Sequence, residues 1–320
     1  MITFFTTAKP FRGHDGIIQR NALKSWKLLH PDVEVILFGD EEGAAQVCAE
    51  LGLRHEPYVE RHESGMKLLS YMFERAQTIA RHDFLCYSNC DIILMKDFRG
   101  AFEKALSWQK RFLMVAQRWD TDVTELIDFS REDWGNKLYR LAVGTGHLQS
   151  PDFVDFFVFP KGLYDSVPPL VVGRSYWDHW LIAKPLDRGA AVLDATRVIV
   201  PVHQNHGYGY HPGGKLGTHT DPIASRNLQL AGGLRRLRTI EDATYLLTRS
   251  GIRQNRLYWL VPARRRWRLI EPKVHWALQT YVWHPVLNLT RPVRHKLGIK
   301  HENIVPDFWL RFRNRGHWLD

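Results

Sequence analysis

Over residues 1–120 the chain alternates short apolar runs with longer segments of helical spacing, and this alternation restricts the fold more than any other feature. Residues 2–7 (ITFFTT) are apolar and β-branched and read as a strand. In 16–30, Ile18, Ala22, Trp26 and Leu29 recur at the spacing of one helix face. A second strand, 33–38, is closed by Gly39-Asp40; a helix over 41–51 stops at Gly52; a third helix covers 66–80. Residues 83–88 (DFLCYS) read as a buried strand that resumes at 92–94, followed by a helix over 97–108 and a strand over 112–116. Such alternation predicts an α/β fold: a mixed, mostly parallel sheet with helices on both faces. Ligands then bind at the carboxyl ends of the strands.

From 121 to 150 the pattern turns irregular and polar. A strand follows at 154–159, a helix at 175–183, short strands at 191–193 and 198–202, a loop rich in His, Gly and Tyr over 203–219, and a short helix at 224–231. Hydrophobic residues make up 44% of the 320, too many for a disordered chain. Three cysteines are too few and too odd for a disulfide framework and fit a reducing cytoplasm. The start, MITFFTTAKPF, reads as a first strand rather than a leader, and no run of about 18 uncharged apolar residues predicts a membrane-spanning helix. The net charge of +10 is concentrated: residues 251–320 carry eleven Arg and three Lys against two Glu and two Asp, so residues 1–250 are neutral. That asymmetry points to an anionic partner for the tail.

The segment with the clearest chemistry is Tyr87-Ser88-Asn89-Cys90-Asp91-Ile92-Ile93-Leu94. If the strand continues, Asn89 and Asp91 point to one side. Two such oxygen donors suit Mg²⁺ or Mn²⁺ bridging a diphosphate; a turn in which Asn and Asp satisfy backbone groups accounts for the same residues. This run resembles the DxD motif of GT-A glycosyltransferases, with Asn in the first acidic place. The order of the other segments over roughly 1–230 is similar to that family as well.

The resemblance implies a GT-A, Rossmann-like nucleotide-diphospho-sugar transferase. Its catalytic domain is 1–235, with 1–120 the nucleotide-binding half and 121–235 the acceptor half, and 236–320 forms a basic, aromatic-rich extension. It implies a metal-dependent transfer of sugar from a nucleotide-diphosphate donor, a UDP-sugar first, onto a glycan or lipid-linked acceptor. Asp178, in Tyr176-Trp177-Asp178-His179-Trp180, falls where inverting members keep their base. His203 follows an apolar strand where a late histidine joins the metal, with Asp91 and Asn89 as the other ligands. Thr6, Thr7 and Lys9 after the first strand and Asp40 after the second fall where base and ribose are held. Lys67 opens the helix before the metal strand and is placed to meet the diphosphate. Arg118 and Trp119 end a strand and fit sugar or acceptor contacts; Asp155 interrupts an apolar run and needs a partner; Trp177 and His206 complete the substrate set.

The Asn for Asp departure removes one negative charge and weakens the case for metal dependence. The tail, with Arg264-Arg265-Arg266-Trp267-Arg268 and the stretch Trp309 to Trp318, suits an anionic membrane surface. The expected setting is cytoplasmic, peripheral on an inner membrane face, in polysaccharide or glycolipid assembly. Two other readings compete. A sugar-nucleotide pyrophosphorylase (a nucleotidyltransferase) needs clustered glycines after the first strand, and the loop here lacks them. Nucleic-acid binding through the tail is opposed by the neutral first 250 residues.

Overall fold

The computed structural model describes residues 1–207, 214–256, 258 and 261. Nine strands form the main sheet, in the order β13 (Gly251–Gln254), β12 (Tyr245–Thr248), β10 (Ala191–Asp194), β6 (Phe112–Val115), β9 (Phe156–Pro160), β4 (Phe84–Ser88), β1 (Ile2–Thr7), β2 (Glu34–Phe38) and β3 (Arg54–Glu56). Strands β3, β2, β1 and β4 run parallel, as do β6, β10 and β12. Between these groups β9 runs antiparallel to both β4 and β6, and β13 closes one edge antiparallel to β12. The mixed, mostly parallel α/β sheet expected from the alternation is therefore present.

Both faces of the sheet are buried, because side chains alternate along each strand while helices cover each side. In β1, Phe4 joins a core with Trp26 of α1 (Gly13–Lys27) and Phe98 of α4 (Lys96–Trp108). Its neighbour Phe5 faces the other way, onto Phe73 of α3 (Leu69–Ile79), Tyr87 and Phe159. The short helix α2 (Ala44–Leu51) ends at Gly52, whose φ of 62° is the left-handed value that glycine adopts without strain.

A second, four-stranded sheet sits where the chain leaves the main one: β5 (Ile92–Ile93), β11 (Val202–Gln204), β7 (Trp119–Thr121) and β8 (His147–Leu148). It joins three segments distant in sequence, around residues 91, 120 and 203. Helix α5 (Trp134–Thr145) packs on it through Leu138 and Ala142.

Several expectations shift. The chain over Asn89-Cys90-Asp91 is a turn and not a strand, with the Ile92 amide donating to the Asn89 carbonyl at 3.2 Å. The strand expected at 198–202 starts only at Val202, because the amides of Val198 and Ile199 turn back onto the Ala195 carbonyl. Asp155 precedes β9 instead of interrupting it. Strands β12 and β13 lie beyond the expected boundary at 235 yet extend the main sheet, and the first compact unit runs from Met1 to Tyr258. Residues 259–320 form a second unit, of which only Val261 is described. The Arg- and Trp-rich runs at 264–268 and 309–318 lie outside the described residues, as does any membrane contact made through them. Among the described residues no helix is long and apolar enough to cross a membrane.

Candidate metal and donor site

All the parallel strands present their carboxyl ends at one edge of the sheet, and the predicted residues cluster there. Asp91 leaves the turn after β4 with its backbone fixed: its carbonyl accepts from the Gln204 amide at 3.2 Å and from the Gln204 side chain at 3.1 Å. Gln204 is itself buried and held by the Ile18 carbonyl and by Asn21 of α1. The Asp91 carboxylate oxygen Oδ2 lies 3.2 Å from His206 Nε2 and 3.8 Å from His203 Nε2. One ligand atom from each of these three side chains falls within 4.8 Å of the others. The second oxygen, Oδ1, is buried without a hydrogen-bond partner among the described residues.

Burial acts to raise the Asp91 pKa, but the imidazoles of His203 and His206 outweigh it and hold the carboxyl well below the usual range. The hydrogen bond to Asp91 raises His206 in return, against its own burial. A buried carboxylate oxygen without a partner costs on the order of 1–3 kcal/mol. The same carboxylate, with two imidazole nitrogens beside its Oδ2, offers a donor set suited to a divalent cation. Two nitrogens favour Mn²⁺ over the harder Mg²⁺.

A chain of ion pairs runs from this cluster into the protein. His203 Nδ1 is 3.1 Å from Asp120 Oδ1, and Asp120 Oδ1 is 2.9 Å from Arg118 Nε. Arg118 Nη1 donates to Asp155 Oδ2 at 2.6 Å, and Asn89 Nδ2 donates to Asp155 Oδ1 at 2.5 Å. The Asn89 amide also donates to the Asp155 carbonyl at 2.9 Å, and Gln149 donates to the second Asp120 oxygen at 2.7 Å. Burial would lower the Arg118 pKa, but Asp155 and Asp120 raise it overall. Burial would raise Asp120, and His203 and Arg118 lower it.

The other predicted residues divide. Lys67 is buried, with Nζ 2.6 Å from Glu41 Oε2 and donating to the Ala8 carbonyl at 2.8 Å; burial lowers its pKa. Asp40 is exposed and paired at 3.0 Å with Arg61, which also reaches Glu41 at 3.1 Å. Thr7 donates to the Phe38 carbonyl at 2.9 Å, Thr6 donates to the Thr7 carbonyl at 3.3 Å, and Lys9 Nζ lies 3.0 Å from Asp15. Trp177 packs into the core against Tyr87 and Phe157, where it is not available to stack on a sugar. Trp119 is half-buried against the apolar residues beneath the second sheet.

Asp178 is half-buried in the first turn of α6 (Trp177–Asp187). Burial raises its carboxyl, His179 opposes that, and the charge of Asp155 adds to it. The residue before that helix, Tyr176, has φ 83°, alone among the described non-glycine residues in the left-handed region. Strain of this kind costs about 1–3 kcal/mol and gathers at functional sites.

Sequence reasoning did not single out Asp120, Gln204, Asn21 or Glu41 as partners. Each is a polar residue inside or beside an apolar segment, which is the only signal the sequence offers for a buried polar contact. No protein-family model matches the sequence, and no curated protein matches it. The structure is similar to glucosyl-3-phosphoglycerate synthase from Mycobacterium tuberculosis in complex with Mg²⁺ and UDP, at 14% identity and TM-score 0.44, covering 73% of this chain and 80% of that one. The same enzyme with Mn²⁺, UDP-glucose and phosphoglyceric acid superposes over the same shares at 14% identity and TM-score 0.45. S. aureus TarS 1–349 with UDP-GlcNAc matches at 9% identity and TM-score 0.42, covering 64% of this chain and 58% of that one. Likeness at this level carries no argument about activity, which has to stand on the site itself.

Proposed function

We propose that this chain is a GT-A-type glycosyltransferase that takes its sugar from a nucleoside-diphosphate donor, a UDP-sugar first, with Mn²⁺ or Mg²⁺ at Asp91, His203 and His206. One observation carries the reading: a carboxylate with one buried, partnerless oxygen turns its other oxygen to two imidazoles at the ligand-binding edge of a mostly parallel sheet. The buried cations nearby support it. Lys67 is paired with Glu41, and Arg118 with Asp120 and Asp155, so neither brings uncompensated charge to a diphosphate. Such a donor, entering a site that already holds several carboxylates, needs a divalent cation.

When bound there, the metal supplies neutralisation of the charge that grows on the leaving nucleoside diphosphate. The chain's own residues do the rest. The loops after β1 and β2, with Thr7, Lys9 and Asp40, border the space for base and ribose. Asp178, with its pKa raised by burial, is suited to accept the proton of the acceptor hydroxyl. Attack by that hydroxyl on the anomeric carbon, from the side opposite the leaving phosphate, inverts configuration. A glycan or lipid-linked acceptor, and an anionic membrane surface met by residues 251–320, rest on the sequence alone.

Calorimetry with UDP, GDP, CDP and dTDP in Mn²⁺ tests the reading. The expected result is binding of one nucleotide, abolished by chelator and by Asp91→Ala. No binding of any of the four, with or without metal, would remove the donor site.

A further inference from the structure

Resting on that metal-site reading, we propose that Arg118, Asp120 and Asp155 are positioning residues that aim both arms of the metal clamp and touch no substrate. The two arms come from segments 112 residues apart in the sequence (203 − 91). One is the turn that carries Asp91; the other is β11, which carries His203. Contacts between them form a closed ring. Starting at His203, it passes through Asp120 (3.1 Å), Arg118 (2.9 Å), Asp155 (2.6 Å) and Asn89 (2.5 Å), and returns along the turn to Asp91, 3.8 Å from His203.

Arg118 is the hub of this ring. It is 7% exposed, and its guanidinium uses two different nitrogens for two carboxylates while lying over the Phe153 ring at 5.1 Å. A side chain enclosed in this way has no free face for a sugar. What it does hold is the orientation of the Asp120 carboxylate, and through it the tautomer of His203. Asp120 Oδ1 stands 3.1 Å from Nδ1 and is placed to accept its proton in a hydrogen bond, which would leave the Nε2 lone pair turned toward Asp91 and the ion. Outer partners of this kind fix ligand orientation in metal sites generally.

The same ring accounts for Asn89. Its side chain donates to Asp155, which an aspartate could not do, so the motif's first acid is replaced by a donor that serves the ring. The Asp91–His203–His206 set holds the ion without it.

The ring nitrogens report this directly. In the full, metal-free chain with ¹⁵N-labelled histidine at alkaline pH, the His203 resonances are assigned by their loss in His203→Gln. The expected state is the Nδ1–H tautomer; an Nε2–H tautomer overturns the proposal, and this arm needs no variant of the ring to fold. In the second arm, Mn²⁺ binding is followed by electron paramagnetic resonance of the free ion. Asp120→Asn, with its circular dichroism unchanged, is expected to weaken affinity about 10- to 100-fold, and Asp120→Glu to recover part of it. Wild-type affinity in folded Asp120→Asn overturns the proposal. A wild-type chain that binds no Mn²⁺ would instead remove the metal reading, and the tautomer of His203 would still decide the positioning one.

Discussion

Two corners of the ligand edge, both built from paired charges, behave in opposite ways. At the corner after β2, Lys67, Glu41, Arg61 and Asp40 pair with one another: each has an opposite charge within 3.1 Å, although Glu41 Oε2 meets Lys67 without hydrogen-bond geometry. At the corner after β4, three acids and two histidines gather around a single arginine, and one Asp91 oxygen remains without a partner. The first corner is complete as it stands and serves the fold. The second is electrostatically incomplete, and incompleteness inside a buried site marks where a cation belongs. Removing a member should therefore cost stability alone at the first corner, and ligand affinity as well as stability at the second.

The sharpest way to break this contrast is Lys67→Met. It leaves Glu41 with the exposed Arg61 at 3.1 Å as its remaining partner, so the cost is about 3 kcal/mol, the low end for breaking a buried pair from one side. Chemical denaturation should show that loss, while Mn²⁺ affinity of the folded fraction stays near wild type. A cost below about 1 kcal/mol would mean that the pair is solvated.

Asn89→Asp tests the second corner from the opposite direction. It replaces the donor to Asp155 with a second carboxylate. A loss of about 1.5–3 kcal/mol at neutral pH is expected, the strength of a hydrogen bond to a charged group, with recovery as one of the acids is protonated at lower pH. A stabilised, tighter-binding variant would argue that residue 89 is a metal ligand after all.

The pH dependence of the metal-free chain separates the corners further. His206 is raised by Asp91, so its contribution to stability is fully present below the unfolded value near 6.5 and disappears as pH rises through the higher folded value. Asp91 and Asp120 are lowered, so their contribution is fully present above the ordinary carboxylate range and is lost as pH falls below that range, through their lower folded values. Denaturation between pH 6 and 8 should show the first slope, and His206→Gln should flatten it. Mn²⁺ competes with the same proton, so its affinity should rise over that interval.

The smallest expected effect is at α6. Tyr176→Gly relieves the left-handed backbone and should add about 1 kcal/mol of stability. If Asp178 is the base held by that strained entry, turnover should fall although the protein is more stable; unchanged turnover would leave the strain without a role.

Much of the architecture was legible in the sequence. The β-α alternation of residues 1–120 gave the parallel half of the sheet, because periods of 2 and 3.6 are written in the positions of apolar residues. The short strands β7, β8, β12 and β13 were not legible. They have two to four residues each, too few for a period to register, and they exist because neighbours supply their hydrogen bonds. Asp91, Asn89 and His203 stood out as residue types suited to metal and His206 as a substrate contact; the fold brings Asp91, His203 and His206 within reach of one another and turns Asn89 to Asp155 instead.

By itself, then, the sequence determined the class of fold and the residues with the right donor atoms, since both follow from local pattern and side-chain chemistry. Tertiary structure alone decided which charges are already neutralised. Lys67 meets Glu41, and Arg118 meets Asp120 and Asp155. Pairing of buried charges depends on distances of a few ångströms between segments up to about a hundred residues apart in the chain, and in a medium of low polarity those distances set the energy.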